Sequence, residues 1–376
     1  MKKRILAIIG TRPEAIKMAP VVMKLQEDCG FEPLVCATGQ HRELLQDALG
    51  IFGIRPDSNL DVMKPNQDLF ALTARLMDGL MEAFRKFRPD GVLVQGDTTS
   101  SFAGALAAFY ENTWLGHVEA GLRSGDRRNP FPEEMNRILA DRLSSACFAP
   151  TGRAAAFLRS EGIADANIHV TGNTVIDALL WVRNRTKKQQ GETIIPGLEK
   201  APLEGRRIVL VTCHRRESFG EPIRHILEAV KAIAAKRDDV AVIYPVHPNP
   251  NVLQAASEVL SGARNVQMIR PVPYVEFVAL MDMAYLVLTD SGGIQEEAPS
   301  LGKPVIVLRD TTERPEGVEA GNAVLAGTDR DSITEHALRL LDDEKAYRAM
   351  AHAANPYGDG RAAEKIIGIV KTSLGG

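Results

Sequence analysis

Cysteine is scarce and scattered. The 376 residues hold four, Cys29, Cys36, Cys147 and Cys213, with no CxxC pair. That usage excludes a disulfide framework and fits free thiols in a reducing compartment, so a cytoplasmic location and no metal site are expected. Long apolar runs are also missing. No stretch approaches the ~18 apolar residues of a membrane-spanning helix. The opening MKKRILAIIG sets basic residues before an apolar stretch, but it meets Thr11, Arg12 and Glu14 too soon for a leader and reads as a first strand. Charge of one sign is nearly absent as well. Lys and Arg number 45 and Asp and Glu 48, a formal net charge of -3, so no broad basic surface is implied and nucleic acid is excluded as a partner. Finally, the loop after that first strand, GTRPEAIKMAP, is neither GxGxxG nor a Walker loop. The missing fingerprint counts against a tightly held nicotinamide, and no cofactor is expected.

What is present is a long alternation of short apolar runs with longer amphipathic ones. RILAIIG, EPLVCAT, GVLVQG, WLGHVEA, ACFAP and IHVTG read as strands in the first half. RIVLVTC, VAVIYPV, NVQMIR, YLVLTD and PVIVLR read so in the second. Most are continuously apolar, as strands buried on both faces of a parallel sheet must be. Helical stretches such as 69–87 and 223–236 lie between them. The pattern predicts an α/β protein of two Rossmann-like, doubly wound domains. The polar, turn-rich TKKQQGETIIPGLEKAPLEG marks the break. The expected organisation is a first domain over 1–171, a linker and hinge over 172–205, a second domain over 206–355 and a final helix in 356–376. Ligands of open parallel sheets bind outside strand C-termini, so a shared interdomain cleft is the expected active site.

The candidate residues follow strands. After YLVLT comes DSGGIQEEAPSLGKP, where Ser291, Gly292 and Gly293 let a diphosphate approach backbone at a helix start, and Glu297 suits ribose hydroxyls. The ordinary alternative is a tight strand-to-helix turn. Arg12 and Lys17 follow the first strand as two cations for phosphate oxygens, or as solvated members of a capped helix. Asp97 and Glu119 follow two further strands, and Glu133 opens a helix with Arg137 four residues on as its expected pair. Three carboxylates would repel an anionic ligand, which makes sense if they move protons; helix capping and surface pairing are the bland alternatives. His214 suits a diphosphate or a proton shuttle, and His247 stands between a backbone-satisfied histidine and a second functional one. Gln40 and His41 follow the second strand. Phe277 suits stacking on a base or a core position.

Taken together, GTRPEAIKMAP, TGQH, QGDTT, HVEAGLRS, PFPEEMNR, HRRE, VHPNPNV, DSGGIQEEAPSLGKPV and RDTTERPEGVEAG resemble the non-hydrolysing UDP-N-acetylglucosamine 2-epimerase family, in the family's order from residue 10 to residue 321. The resemblance implies the two-domain fold of GT-B glycosyltransferases, with the last helix crossing back to the first domain. It implies interconversion of UDP-GlcNAc and UDP-ManNAc by inversion at C2, feeding cell-surface polysaccharide synthesis. It implies Asp97, Glu119, Glu133, Arg137 and His214 in catalysis, and Arg12, Lys17, Ser291, Gly292 and Glu297 around UDP, a set to which the residue reading above adds His214, Phe277 and Gly293. It further implies a homodimer and a second UDP-GlcNAc acting as allosteric activator near Gln40, His41 and His247. The rival readings are a hydrolysing relative that releases ManNAc and UDP, a retaining glycosyltransferase, and a non-catalytic sensor of UDP-sugars.

Overall fold

A computed structural model describes residues 2–39, 42–64, 67–188 and 193–375, with the side chains of residues 42–44 left out. The chain divides into two compact units, Met1–Ala178 with Tyr357–Gly376, and Leu179–Pro356. Among the described residues no helix is long and apolar enough to cross a membrane.

The first unit is built on a seven-stranded sheet: β1 Lys3–Ile9, β2 Phe31–Ala37, β3 Ser58–Asn59, β4 Gly91–Gln95, β5 Trp114–Val118, β6 Ala146–Ala149 and β7 Ile168–Val170. Its order is β3-β2-β1-β4-β5-β6-β7 and every ladder is parallel. The second unit has six strands: β8 Arg207–Thr212, β9 Val240–Pro245, β10 Val266–Ile269, β11 Leu286–Thr289, β12 Val305–Val307 and β13 Ala323–Leu325. They run β10-β9-β8-β11-β12-β13, again all parallel. All eleven apolar runs read as strands are strands. The two that escape notice, β3 and β13, are short sheet-edge strands, where little burial is available to write an apolar run.

Each sheet reverses its winding once. In the first unit β1 leads outward to β2 and β3, while β4 starts the opposite wing. In the second, β8 leads to β9 and β10, and β11 starts the other wing. The two switch points therefore lie beyond the ends of β1 and β4, and beyond the ends of β8 and β11, where open parallel sheets leave a crevice. Side chains from β1, β2, β4 and β5 pack with the helices Leu69–Phe87 and Thr99–Tyr110 in one core. The second core gathers β8, β9, β11 and β12 with the helices Glu221–Lys236, Pro250–Leu260 and Arg330–Asp342. The final helix Ala362–Leu374 belongs to the first unit, where Asp177 accepts bonds from the N–H groups of Ala362 and Ala363 at its start.

Candidate active site

The first switch point is made by two turns. Beyond β1, Gly10 and Thr11 lead into the helix Arg12–Glu27, with Thr11 as N-cap and Pro13 in the first turn. Gly10 is there because nothing larger fits: a Cβ would stand 2.5 Å from Ser100 Oγ. Glu14 points inward, is buried, and accepts from Gly10 N–H (3.1 Å), Thr98 Oγ1 (2.9 Å) and Ser101 Oγ (2.8 Å). Burial pushes its carboxyl above the ordinary range although three hydroxyls oppose the shift. Glu14 thus stitches the Arg12 turn to the turn beyond β4, which carries Asp97. The half-buried Arg12 guanidinium has no hydrogen-bond or ion-pair partner among the described residues.

Asp97 is partly open to solvent. Arg137 Nη1 reaches its Oδ2 at 3.2 Å, and Asn136 Nδ2 holds its backbone carbonyl at 3.0 Å. Burial raises its proton affinity above that of an ordinary aspartate; Arg137 and Lys17 oppose this, while Glu119 and Glu133 add to it. The sequence-predicted residues Lys17, Asp97, Glu119, Glu133 and Arg137 are therefore one electrostatically coupled cluster.

Glu119 follows β5 and is nearly buried. Its carboxylate accepts from Lys17 Nζ at 2.6 Å to each oxygen, from Asn173 Nδ2 at 3.0 Å and from Gln95 Nε2. Its φ is +66°, the left-handed region that a residue with a Cβ enters at a cost of about 1–3 kcal/mol. Such a cost persists only where surroundings impose it, here through donors from three other segments.

One expected pair is not formed. Arg137 does not engage Glu133; it binds Glu134, through Nε at 2.8 Å and through Nη2, and Asp97. Residues three and four apart both share a helix face. Glu134 is the buried member, fixed by the N–H groups of Ser124 and Gly125, so the guanidinium is drawn inward to it. Burial alone would raise the Glu134 carboxyl; the bonds from Ser124 and Arg137 outweigh it and hold it low. Glu133 itself is half-buried and has no hydrogen bond among the described residues, which leaves its carboxylate available.

The second switch point carries the opposite chemistry. Asp290, fully buried beyond β11, accepts from the backbone N–H of His214 (2.6 Å) and Arg215 (2.7 Å) beyond β8, and His214 Nδ1 stands 3.3 Å from its Oδ1. Burial would raise the Asp290 carboxyl; the bonds from His214 and Arg215 hold it below the usual range. The His214 ring stacks on His247 with centroids 5.2 Å apart. His247 Nδ1 accepts from Asn249 N–H at 3.2 Å, and burial followed by the neighbouring His214 lowers its proton affinity. Ser291 is the N-cap of a helix of only six residues, Gly292–Glu297, continued by a 3-10 turn. A Cβ added to Gly292 would lie 3.8 Å from Arg314 Cζ and 3.9 Å from Arg215 Nη2; one added to Gly293 would lie 3.8 Å from Glu297 Oε1. Two guanidinia and a carboxylate thus border a glycine turn. Phe277 is half-buried on the helix Tyr274–Met283. Gln40 and His41 lie outside the described residues.

Sequence reading missed Glu14, Gln95, Glu134, Asn173, Asp290 and Arg314 as parts of these turns. Gln95 and Asp290 had a signal, a polar residue closing an otherwise apolar buried run. Arg314 had none, because its loop is distant in sequence.

Comparison with known proteins identifies the family. A profile of the family described as UDP-N-acetylglucosamine 2-epimerase matches residues 23–371. The chain is 50% identical over 375 residues to UDP-N-acetylglucosamine 2-epimerase of Escherichia coli K12, covering 98% of this chain and 99% of that one. It resembles the crystal structure of UDP-GlcNAc 2-epimerase from Neisseria meningitidis bound to UDP-GlcNAc, with a TM-score of 0.87 and 44% identity over 98% of this chain and 100% of that one. It also resembles the Methanocaldococcus jannaschii UDP-GlcNAc 2-epimerase in complex with UDP-GlcNAc and UDP, with a TM-score of 0.77 and 33% identity over 98% and 99% of the two chains.

Proposed function

This chain belongs to the UDP-N-acetylglucosamine 2-epimerase family, and we propose that it interconverts UDP-GlcNAc and UDP-ManNAc without releasing free sugar. The observation that carries this reading is the cluster beyond β4 and β5, where Asp97 meets Arg137 and the nearly buried Glu119 meets Lys17.

The chemistry needs such a cluster. The C2 proton of the sugar is not next to a carbonyl, so direct removal is prohibitively uphill. Departure of UDP solves this. The C1–O bond breaks with its electron pair going to the phosphate oxygen, and oxocarbenium character at C1 acidifies C2–H. A carboxylate takes that proton and a C1–C2 double bond forms, giving 2-acetamidoglucal and UDP. A second acid protonates C2 on the opposite face, and the phosphate oxygen bonds C1 again. Asp97, Glu119 and Glu133 supply the proton-transfer groups. A carboxyl with raised pKa exchanges protons more readily near neutrality than an ordinary aspartate does. The detached UDP is held by the Ser291–Gly293 turn, Glu297 and His214, joined by Arg215 and Arg314, which the glycine geometry brings to the same turn. Lys17 acts through Glu119, its ion-pair partner.

Incubating the protein with UDP-GlcNAc in D₂O tests the proposal. The expected product is UDP-ManNAc carrying deuterium at C2, with little free sugar. Free ManNAc would indicate the hydrolysing reaction, and no isotope uptake would indicate a sensor. A second UDP-GlcNAc as activator and a homodimeric assembly belong to the same proposal. The His214–His247 stack is the contact through which a ligand at His247 would reach the diphosphate turn. A hyperbolic rate curve would remove the activator, and a monomer mass by light scattering the dimer.

A further inference from the structure

We infer that His117 is a permanently charged imidazolium that positions the two carboxylates Asp97 and Glu119; the positioning role rests on the reaction proposed above, the charge does not. His117 sits on β5, two residues before Glu119, with no exposed surface. Its Nδ1 is 2.6 Å from Asp141 Oδ1, and its Nε2 is 2.7 Å from the carbonyl oxygen of Gly96. A carbonyl oxygen has no proton to give. Asp141 is equally an acceptor: its other oxygen takes bonds from Gly121 N–H at 3.2 Å and Arg123 Nη2 at 2.8 Å. A neutral imidazole has one N–H and one bare nitrogen. Either tautomer would press a nitrogen lone pair against an oxygen lone pair in a site without water access. With Asp141 kept ionised by the Arg123 guanidinium, only the doubly protonated ring makes both bonds.

The charges balance. His117 and Arg123 are positive; Asp141 is negative, as is Glu161, which binds Arg123 through both carboxylate oxygens at 2.7 Å. Buried ions persist when paired and hydrogen-bonded in this way. The same sense appears in the titration: burial pulls His117 down, but Asp141 and the Gly96 carbonyl outweigh it and raise the ring, while His117 and Arg123 hold Asp141 low against its burial.

The placement gives the charge a purpose. Gly96 immediately precedes Asp97, and Gly121 follows Glu119 by two residues. Through His117 and Asp141 both loops are tied to one helix, Glu133–Leu143, which also carries Arg137, the partner of Asp97. The turn at Gly121 has no slack, since a Cβ there would lie 2.4 Å from Ala154 O. His117 is a positioning residue; it acts on the site only through Gly96 and Asp141. A histidine merely filling the core would satisfy one nitrogen and stay neutral.

Two measurements test this. Nitrogen NMR of the ¹⁵N-histidine-labelled wild-type protein at a pH of about 8.5, some two units above the ordinary histidine value of about 6.5, should show one ring with both nitrogens protonated. That signal is assigned by its loss in His117→Gln. A neutral ring at that pH overturns the charge. In kinetics, His117→Gln should lower kcat ~10²-fold, the scale of a 1 Å misplacement, and leave KM within about threefold. A folded variant with wild-type kcat overturns the positioning role. If His117→Gln does not fold, Asp141→Asn keeps the ring and removes its counter-charge. It should lose both the doubly protonated signal and kcat; retention of either counts against the inference. Should the wild-type protein fail to take up deuterium from D₂O, the proposed reaction falls and the positioning role with it, while the nitrogen spectrum still decides the ion.

Discussion

The two switch points stand at the same place in two similar sheets, and each is entered through an aspartate just after a buried strand. Asp290 is fully buried, yet its carboxyl is held low, because two backbone N–H groups and the neighbouring His214 stabilise the anion. Asp97 is partly exposed, yet its carboxyl is raised, because one 3.2 Å bond from Arg137 does not compensate burial and the nearby Glu119 and Glu133. Burial alone does not set proton affinity; hydrogen-bond donors and neighbouring charges decide whether it prevails. The first turn is thereby suited to exchange protons, and the second to stay ionised while shaping a loop bordered by Arg215 and Arg314.

The largest expected effect separates these roles. Asp97→Asn should slow turnover ~10²–10⁴-fold, the scale for losing a general acid or base, while UDP binding measured by calorimetry stays near wild type. Wild-type turnover would move the proton chemistry elsewhere in the cluster. Next in size, Arg314→Ala should weaken UDP ~10–100-fold, as expected for about 1.5–3 kcal/mol from a hydrogen bond to a charged group. Its kcat at saturating substrate should fall less than that of Asp97→Asn. Equal losses in kcat would erase the distinction between the two turns.

The smallest effects are the pH signatures, which have opposite signs. For Asp97 the folded value lies above the ordinary 3.8. Its contribution is therefore present below that value and lost as pH rises through the folded one. Asp97→Asn should melt higher than wild type near neutrality, and the gap should close in acid. For Asp290 the folded value lies below 3.8, so its contribution is present above 3.8 and lost as pH falls through the folded value. Asp290→Asn should melt lower than wild type at neutral pH, with the gap closing in strong acid. Thermal melts of both variants across pH check the pair; gaps of the same sign would refute the comparison.

Much of this architecture was legible locally. Apolar runs such as RILAIIG and VAVIYPV announced buried strands, and the turns after them announced where polar chemistry would stand. His117 could have been singled out too, since a histidine inside WLGHV must find partners when the strand is buried.

By itself the sequence determined the strands, the helices between them and the residues that stand at strand ends, because hydrophobic periodicity and turn chemistry act over a few neighbours. Only tertiary structure decided which strand ends meet. Parallel order sets β1, β4 and β5 side by side and β8 beside β11, and that neighbourhood pairs Lys17 with Glu119 and Asp290 with the His214 backbone. It also turned Arg137 from Glu133 to Glu134 and Asp97. A charged side chain chooses among partners by burial and distance, and those exist only once the sheet has assembled.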